Sequence, residues 1–356
     1  MRSYTIRCAG CLRSISLVDR ERIEYLLDRF SEIAVTVIGD MAIDAYWHID
    51  MKRSELSRET PFYTKPVLRE NYSLGAAANT AANLKALGCG QVYPVSAIGT
   101  DWRGDIFLDI CSDKGIDTSF LVRSGRRVTT AFIKPILTGY TGADGMEDSR
   151  FDFENTARPA EEDQKAFLAN AEKAVTVCSG TVVCDQVSNG MMSDTAVRAL
   201  TNLAGKYPDI PFIADSRYRI SEYGNMILKP NEIEACRAAG IELRDEESVI
   251  KAGRSLAGRA PTVFVTAGKK GVYVFGSEEC HQPAYLQEDP VDPVGAGDTC
   301  LAVLAAVLSA GGTEREAACM AGLAASVTVK KIHSTGTVTP EEILARHDEV
   351  FKGLKC

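Results

Sequence analysis

No stretch of the 356 residues approaches the roughly 18 consecutive apolar positions that a membrane span needs. No block of about five or six basic residues occurs either. Lys and Arg total 40 against 48 Asp and Glu, a net charge of -8, which speaks against nucleic acid or an anionic membrane surface as a partner. The opening residues, MRSYTIRCAGCLRS, contain no apolar core of signal-peptide length, so a cytoplasmic protein is expected. GxxxxGK followed by Ser or Thr is missing, which excludes a Walker A loop. GxGxxG is missing too, so a nicotinamide enzyme loses its main support. Cys8 and Cys11 form the one close CxxC pair, with no second pair or His pair to complete a zinc site. The 11 Cys are odd in number and mostly sit in apolar stretches, as small core residues do in a reducing compartment.

What is present is a composition ordinary for a soluble globular chain, 45% hydrophobic and 25% charged. Such a length fits one large α/β domain with an appendage, or two domains. Ile23, Leu26, Leu27 and Phe30 recur at helical spacing behind Ser16 or Asp19 as a cap. They place one helix in an N-terminal extension over 1–32. IAVTVIGD (33–40) then reads as a strand covered on both faces. AAANTAANLKALG (76–88) reads as a helix ended by Gly88, VYPVSAIG (92–99) as a strand, and DWRGDIFLDICSDKG (101–115) as an amphipathic helix. TVVCDQ (181–186), PFIADS (211–216), MILKPN (226–231) and TVFVTAG (262–268) follow as strands with helical segments between them. This alternation predicts an α/β domain over 33–356: a doubly wound, mostly parallel sheet with helices on both faces. Its ligands should lie beyond the carboxyl ends of the strands, where Asp40, Asp44, Asp185, Asp215, Asn231 and Thr266 fall. Residues 46–72 and 127–154 break the alternation with extended segments and turns, and read as a small β lid.

The chemistry concentrates in VDPVGAGDTC (291–300), just before the apolar run LAVLAAVLSAGG. Backbone N–H groups at Gly295, Ala296 and Gly297, ahead of a helix N-terminus, make a site that a negative charge can approach closely. The plainer reading is a tight strand-to-helix turn with Asp298 as cap. A carboxylate beside a resting phosphate would repel it. It makes chemical sense if Asp298 takes a proton from a hydroxyl attacking that phosphorus, with the amides holding the charge that develops. The reaction class this suggests is phosphoryl transfer to an alcohol.

DPVGAGDT resembles the C-terminal signature of the ribokinase-like (PfkB) carbohydrate kinases. LGAAANTAANLKALG (74–88) is similar to that family's Gly-rich sugar-binding stretch, LKPNEIEA (228–235) to its K/T-P-N-x-x-E element, and VTAGKKGVYV (265–274) to its nucleotide strand and turn. With VIGDMAID (37–44), the resemblance spans about residues 33–350. It implies Asp298 as the catalytic base over an anion hole at Gly295, Ala296 and Gly297. It implies a sugar bound by Asp44, with Gly75 allowing close approach and Asn79 hydrogen-bonding to it. Asn231 and Glu234 would organise Mg²⁺ and the ATP phosphates through water, while Thr266, Gly268 and Gly271 would shape the nucleotide groove. Asp292 and the backbone of HSTGTVT (333–339) resemble a monovalent-cation (K⁺) site. Competing readings are a helix decoration for Asn79 and a hairpin turn for Gly268 and Gly271.

VIGDMAIDAYW, SELSRETP, FDFE and TGTVTPEEIL look most like the heptose-7-phosphate kinases of ADP-heptose synthesis. The sequence departs from them where a double glycine becomes Gly75-Ala76, where Arg-Ile-Ser-Pro-Glu becomes ELSRETP, and where Asp-Tyr-Gly-Lys-Gly becomes DQVSNG (185–190) without its lysine. Arg217, Arg150 and Lys134 are the cations left to meet a substrate phosphate. The expectation is an ATP-dependent kinase of a sugar or sugar phosphate, forming a homodimer if the lids pair. The alternative is a catalytically silent sugar- or nucleotide-binding regulator on the same fold.

Overall fold

The computed structural model describes residues 12–14, 17–139, 145–288, 290–331 and 336–353. Ser16, Cys8 and Cys11 lie outside these, as do residues 333–335 of the expected cation loop. In chain order the strands are β1 (Arg13–Ser14), β2 (Ala34–Gly39), β3 (Met41–Asp50), β4 (Val67–Ala76), β5 (Gln91–Val95), β6 (Ala97–Gly99), β7 (Val122–Ser124), β8 (Thr130–Thr138), β9 (Met146–Glu147), β10 (Phe151–Phe153), β11 (Gly180–Asp185), β12 (Phe212–Ser216), β13 (Ile227–Leu228), β14 (Val263–Thr266), β15 (Val272–Phe275) and β16 (Glu279–Gln282). The helices are α1 (Arg20–Arg29), α2 (Ala77–Ala86), α3 (Trp102–Asp113), α4 (Glu161–Val175), α5 (Asp194–Lys206), α6 (Glu232–Ala239), α7 (Glu246–Ala257), α8 (Ala296–Ser309), α9 (Glu314–Thr328) and α10 (Pro340–Gly353).

A nine-stranded sheet runs β1-β16-β15-β14-β13-β12-β11-β2-β5, parallel from β14 to β5 and antiparallel across β14-β15-β16. Its central strands are apolar on both faces because side chains alternate between two cores. Val182 and Cys184 of β11 pack toward α2, α8 and α9, whereas Val183 packs toward α4 and α5. Likewise Phe264 of β14 faces the first core and Val263 and Val265 the second. α8 is buried from Thr299 to Val307, so the helix carrying Asp298 is fixed along almost its whole length.

The chain leaves β2 directly into β3 and builds a second sheet, β10-β8-β3-β4, with β9 beside β8. This sheet holds parts of both extended segments noted in the sequence. Three details differ from the sequence reading. VYPVSAIG is two strands, because the Ser96 carbonyl accepts the Val122 N–H and turns the chain away to pair β6 with β7. Pro94 is tolerated in β5 because that strand is an edge. MILKPN pairs as a strand only at Ile227–Leu228; Lys229 adds one more bond to Ala214 and then Pro230 removes a donor. Asp19 precedes α1 without a side-chain capping bond.

Ala76, the position of the altered double glycine, joins β4 to α2 with φ 50° and ψ −134°, a region that glycine occupies readily and alanine does not. Strain of this kind costs about 1–3 kcal/mol, and the greater chain entropy of unfolded glycine offsets part of its relief, about 0.4–1 kcal/mol. Ala76→Gly is therefore expected to raise the thermal midpoint by about 2 °C, measured by calorimetry; an unchanged or lower midpoint contradicts the strain.

Candidate functional site

Gly295 enters the left-handed region at φ 79° and turns the chain so that α8 starts at Ala296. A Cβ added at Gly297 would meet nothing within 4 Å, so this face of the helix N-terminus is open. Unpartnered N–H groups at such an end favour a negative charge, although the Ala296 N–H here donates to Pro293 O at 3.2 Å. Asp298 does not cap the helix, contrary to the plain turn-and-cap reading: α8 has no side-chain capping bond. Its Oδ2 instead accepts a hydrogen bond of 2.8 Å from Asn79 Nδ2 in the first turn of α2. α2 and α8 lie side by side, which makes this link between distant parts of the chain.

Asp298 is half-buried and lines an open cleft. Enclosure by protein pushes its carboxyl up to about 6, with the Asn79 bond pulling down, Asp215 pushing up, and Lys229 and Gln186 pulling down. Such a group is ionised at neutral pH yet close to the pKa of a useful proton acceptor.

The cleft encloses about 250 Å³ at the carboxyl ends of the parallel strands. Gly295, Gly297 and Asp298 form one wall, and Asn231, Glu234 and Thr266 another; Gln186, Asp215, Arg217 and Lys229 complete it. Asn231 caps α6 in a reciprocal box: its Oδ1 accepts Glu234 N at 2.9 Å and Glu234 Oε2 accepts Asn231 N at 2.8 Å. Burial raises the Glu234 carboxyl above its usual range. Thr266 is tied to the same turn, bridging Asn231 and donating its hydroxyl to Pro230 O at 3.4 Å. Among the described residues no group of three or more His, Cys, Asp or Glu forms a metal cage. Of the three cleft carboxylates, Asp215 is paired with Lys229 and Asp298 with Asn79, which leaves Glu234 beside the anion site as a donor that suits Mg²⁺, an ion that keeps several waters and binds mainly through phosphate. A larger groove of about 430 Å³ between α4 and α5, with Leu200, Leu203 and the Glu172–Lys206 pair, gathers no such set.

On the second sheet, Asp44 of β3 is buried, 3.7 Å from Lys134 Nζ of β8. Lys134 also donates to Tyr46 OH at 3.3 Å. Burial disfavours its charge, but Asp44, Tyr46 and Glu147 together outweigh that and hold the ammonium above its ordinary range. A Cβ at Gly75 would fall 2.9 Å from Asp44 Oδ2, so the glycine makes room for this carboxylate.

Gly268 and Gly271 shape the β14-β15 hairpin: a Cβ at Gly271 would sit 2.0 Å from Gln282 O, and neither glycine lines the cleft. Asp292 Oδ1 accepts Val294 N at 3.0 Å, closing the turn before the helix. Of the expected cation loop, Thr337 O accepts Lys331 Nζ at 2.6 Å. Asp185 is turned to its own neighbours, accepting from Ser216, Arg219 and Tyr223. Asp40, pushed up to about 7 by burial, accepts Met191 N at 2.6 Å and so anchors the 185–190 loop.

Sequence reasoning missed Lys229 and Gln186. The lysine lies within the quoted LKPN, where the turn residues on either side drew the attention. Its Nζ stands 3.0 Å from Asp215 Oδ2, both side chains nearly inaccessible. Burial opposes the Lys229 charge, but Asp215 holds the ammonium well above its ordinary range. Removing one partner of a buried pair strands the other's charge. Lys229→Met should lose about 3–5 kcal/mol in denaturant unfolding, and Asp215→Asn combined with it should cost less than the two losses added. Additive losses would deny the pairing.

Comparison with known proteins agrees with this geometry. Residues 35–342 match the model of the pfkB family carbohydrate kinase. Bifunctional protein HldE of Geobacter sulfurreducens is 32% identical over 338 residues, covering 92% of this chain and 65% of that protein. Its namesake from Wolinella succinogenes is 31% identical, covering 87% and 63%. The chain thus spans just under two thirds of the length of these relatives. Among solved structures, Arabidopsis thaliana ribokinase complexed with ribose and ATP superposes with a TM-score of 0.66 at 20% identity, covering 88% of this chain and 98% of that one. Escherichia coli phosphofructokinase-2 with fructose-6-phosphate gives 0.68 at 19% identity, covering 90% and 99%. These likenesses give the fold as ribokinase-like. The chain belongs to the pfkB family of carbohydrate kinases.

Proposed function

We propose that this kinase transfers the γ-phosphoryl group of ATP to a hydroxyl of a sugar or sugar phosphate, with Asp298 as the base. The observation that carries the reading is a desolvated carboxylate set beside the open N-terminus of α8. The hydroxyl oxygen attacks the γ-phosphorus, the bond to the ADP oxygen breaks, and the hydroxyl proton passes to Asp298. Backbone N–H groups at Gly295, Ala296 and Gly297, with the helix dipole, hold the charge on the phosphoryl oxygens. Mg²⁺ bound with ATP would supply further neutralisation of phosphate charge. Glu234 and Asn231 would orient its waters, and Thr266 the nucleotide side of the cleft. Gly268 and Gly271 would serve indirectly, by holding the hairpin behind it. Asp44 and Asn79 would fix the sugar hydroxyls, with Gly75 keeping the Asp44 carboxylate in place. Asp292, with the backbone of the 333–339 stretch, would hold a K⁺ ion near the anion hole.

The pattern of heptose-7-phosphate kinases makes heptose 7-phosphate the first substrate to try. Lys134 of β8, now paired with Asp44, and Arg150 beside β10, now paired with Asp152, are the cations that would turn to a sugar phosphate. That sheet leaves Leu68, Met146 and Phe151 exposed, and the connection from β3 to β4 leaves Leu56, Phe62 and Tyr63 exposed, which supports a homodimer closed lid to lid. No helix among the described residues is long and apolar enough to cross a membrane, in keeping with a cytoplasmic enzyme. The silent-regulator alternative has no support in the site, since Asp298, Gly295 and Gly297 are all in place.

A coupled ADP assay over a panel of sugars and sugar phosphates, heptose 7-phosphate included, tests the reading. With the sugar turned over, Asp298→Asn should lower kcat by about 10²–10⁴-fold while ATP binding by calorimetry stays within a few fold. Turnover retained in that variant refutes the base; ATP binding without turnover of any sugar by the unmodified chain favours the regulator.

A further inference from the structure

Asp298 is the end of a longer polar line. Asn83 lies one helical turn after Asn79 on α2, and both are almost fully buried. Asn83 Nδ2 donates to Asn79 O at 2.9 Å and to Asn79 Oδ1 at 3.2 Å. Thr299, the residue after Asp298 and fully buried, donates its hydroxyl to Asn83 Oδ1 at 3.0 Å. The line therefore runs from Thr299 through Asn83 and Asn79 and returns to Asp298.

Its direction is fixed by one group that cannot reverse. A backbone carbonyl only accepts, so Asn79 O pins the NH₂ of Asn83 toward itself. Asn83 Oδ1 must then face Thr299. The same NH₂ claims Asn79 Oδ1, which leaves the Asn79 NH₂ pointing at the carboxylate. Reversing the Asn79 amide would set a carbonyl oxygen against Asp298 and an NH₂ against another NH₂. Four side chains on two helices thus settle which end of one amide meets the base.

We infer that Asn83 and Thr299 are positioning residues: they hold the Asn79 amide with its N–H toward Asp298, keeping that carboxylate in its ionised, proton-accepting form. The inference rests on the reading of Asp298 as base, but the relay itself can be tested without turnover. Other groups surround Asp298: Gln186, Asp215 and Lys229 act on its carboxylate, Cys184 on β11 feels its charge, Cys300 follows two residues on along α8, and Arg217 and Glu234 line the same cleft. None of them touches the Asn79 amide in the contacts described above, so the relay is separable from them. A methyl-for-hydroxyl change at Thr299 alters the line and leaves those charges in place.

The test is carboxyl ¹³C NMR titration of the full chain without ligands, with Asp298 assigned by Asp298→Asn. An N–H donated to the ionised form lowers the midpoint, so losing it raises the midpoint. Asn83→Leu should raise the Asp298 midpoint by about one pH unit. Thr299→Val should raise it in the same direction by about half a unit. Thr299→Ser, which keeps the hydroxyl and loses a methyl, should titrate like the unmodified chain. A packing role predicts the reverse order, with Val harmless and Ser damaging. In the unmodified chain, the side-chain amide signals of Asn79 and Asn83 should move with the Asp298 midpoint, a reading that needs no variant to fold. Unmoved midpoints in the variants, or Asn83 signals indifferent to Asp298, overturn the relay. Failure of the base reading shows separately, as turnover surviving in Asp298→Asn.

Discussion

The hydrogen bond from Asn79 to Asp298 joins the two halves of the molecule that a phosphoryl transfer has to bring together. One partner comes from the stretch that leads out of the second sheet, through Gly75 and Ala76 into α2. The other stands at the mouth of α8, beside the open helix end. Desolvation raises the affinity of the Asp298 carboxylate for a proton and so threatens to neutralise it. The Asn79 donor, the Lys229 charge and then Gln186 keep the charge in place. Lys229 can do so only because Asp215 compensates its own burial. The cleft is thus a balance of buried charges, and each is expensive to leave alone.

The fold provides rigidity for that balance. Strands with two apolar faces hold the carboxyl ends of β2, β11, β12 and β14 in register, so Asp40, Asp185, Asp215 and Thr266 emerge along one edge. They do different work there. Asp215 and Thr266 border the cleft, whereas Asp40 and Asp185 are spent on the loops beside it, holding backbone and side chains from 187 to 223. A row of acids at strand ends is therefore partly chemistry and partly fastening for the loops that frame it.

Much of this was legible in the sequence. The parallel sheet followed from the alternation of apolar runs and helical spacings, and the open helix end from Gly-Ala-Gly before an apolar run. What escaped was whatever depends on partners far apart in the chain. Periodicity shows that Asn79 and Asn83 share a helix face, but not that this face meets Thr299 and Asp298, more than 200 positions away. Lys229 reads as a turn residue until Asp215 is found beneath it. Gly75 reads as space for a ligand until the Asp44 carboxylate is found filling that space. The break at Ser96 had no local signal, since its cause is the N–H of Val122.

The central claim is that Asp298 acts as a base whose burial has lifted it to about 6. The pH dependence of kcat/KM for the sugar reports groups of the enzyme form that the sugar meets, so it bears on this most directly. It should be measured with Mg·ATP saturating and the accepted sugar limiting, in the unmodified chain. The account predicts a rate that is level near neutrality and falls tenfold per pH unit below a midpoint near 6, as Asp298 takes up a proton. A rate that stays level down to about pH 4.5 would contradict it, because a carboxylate in that cleft could not then be the group that accepts the proton.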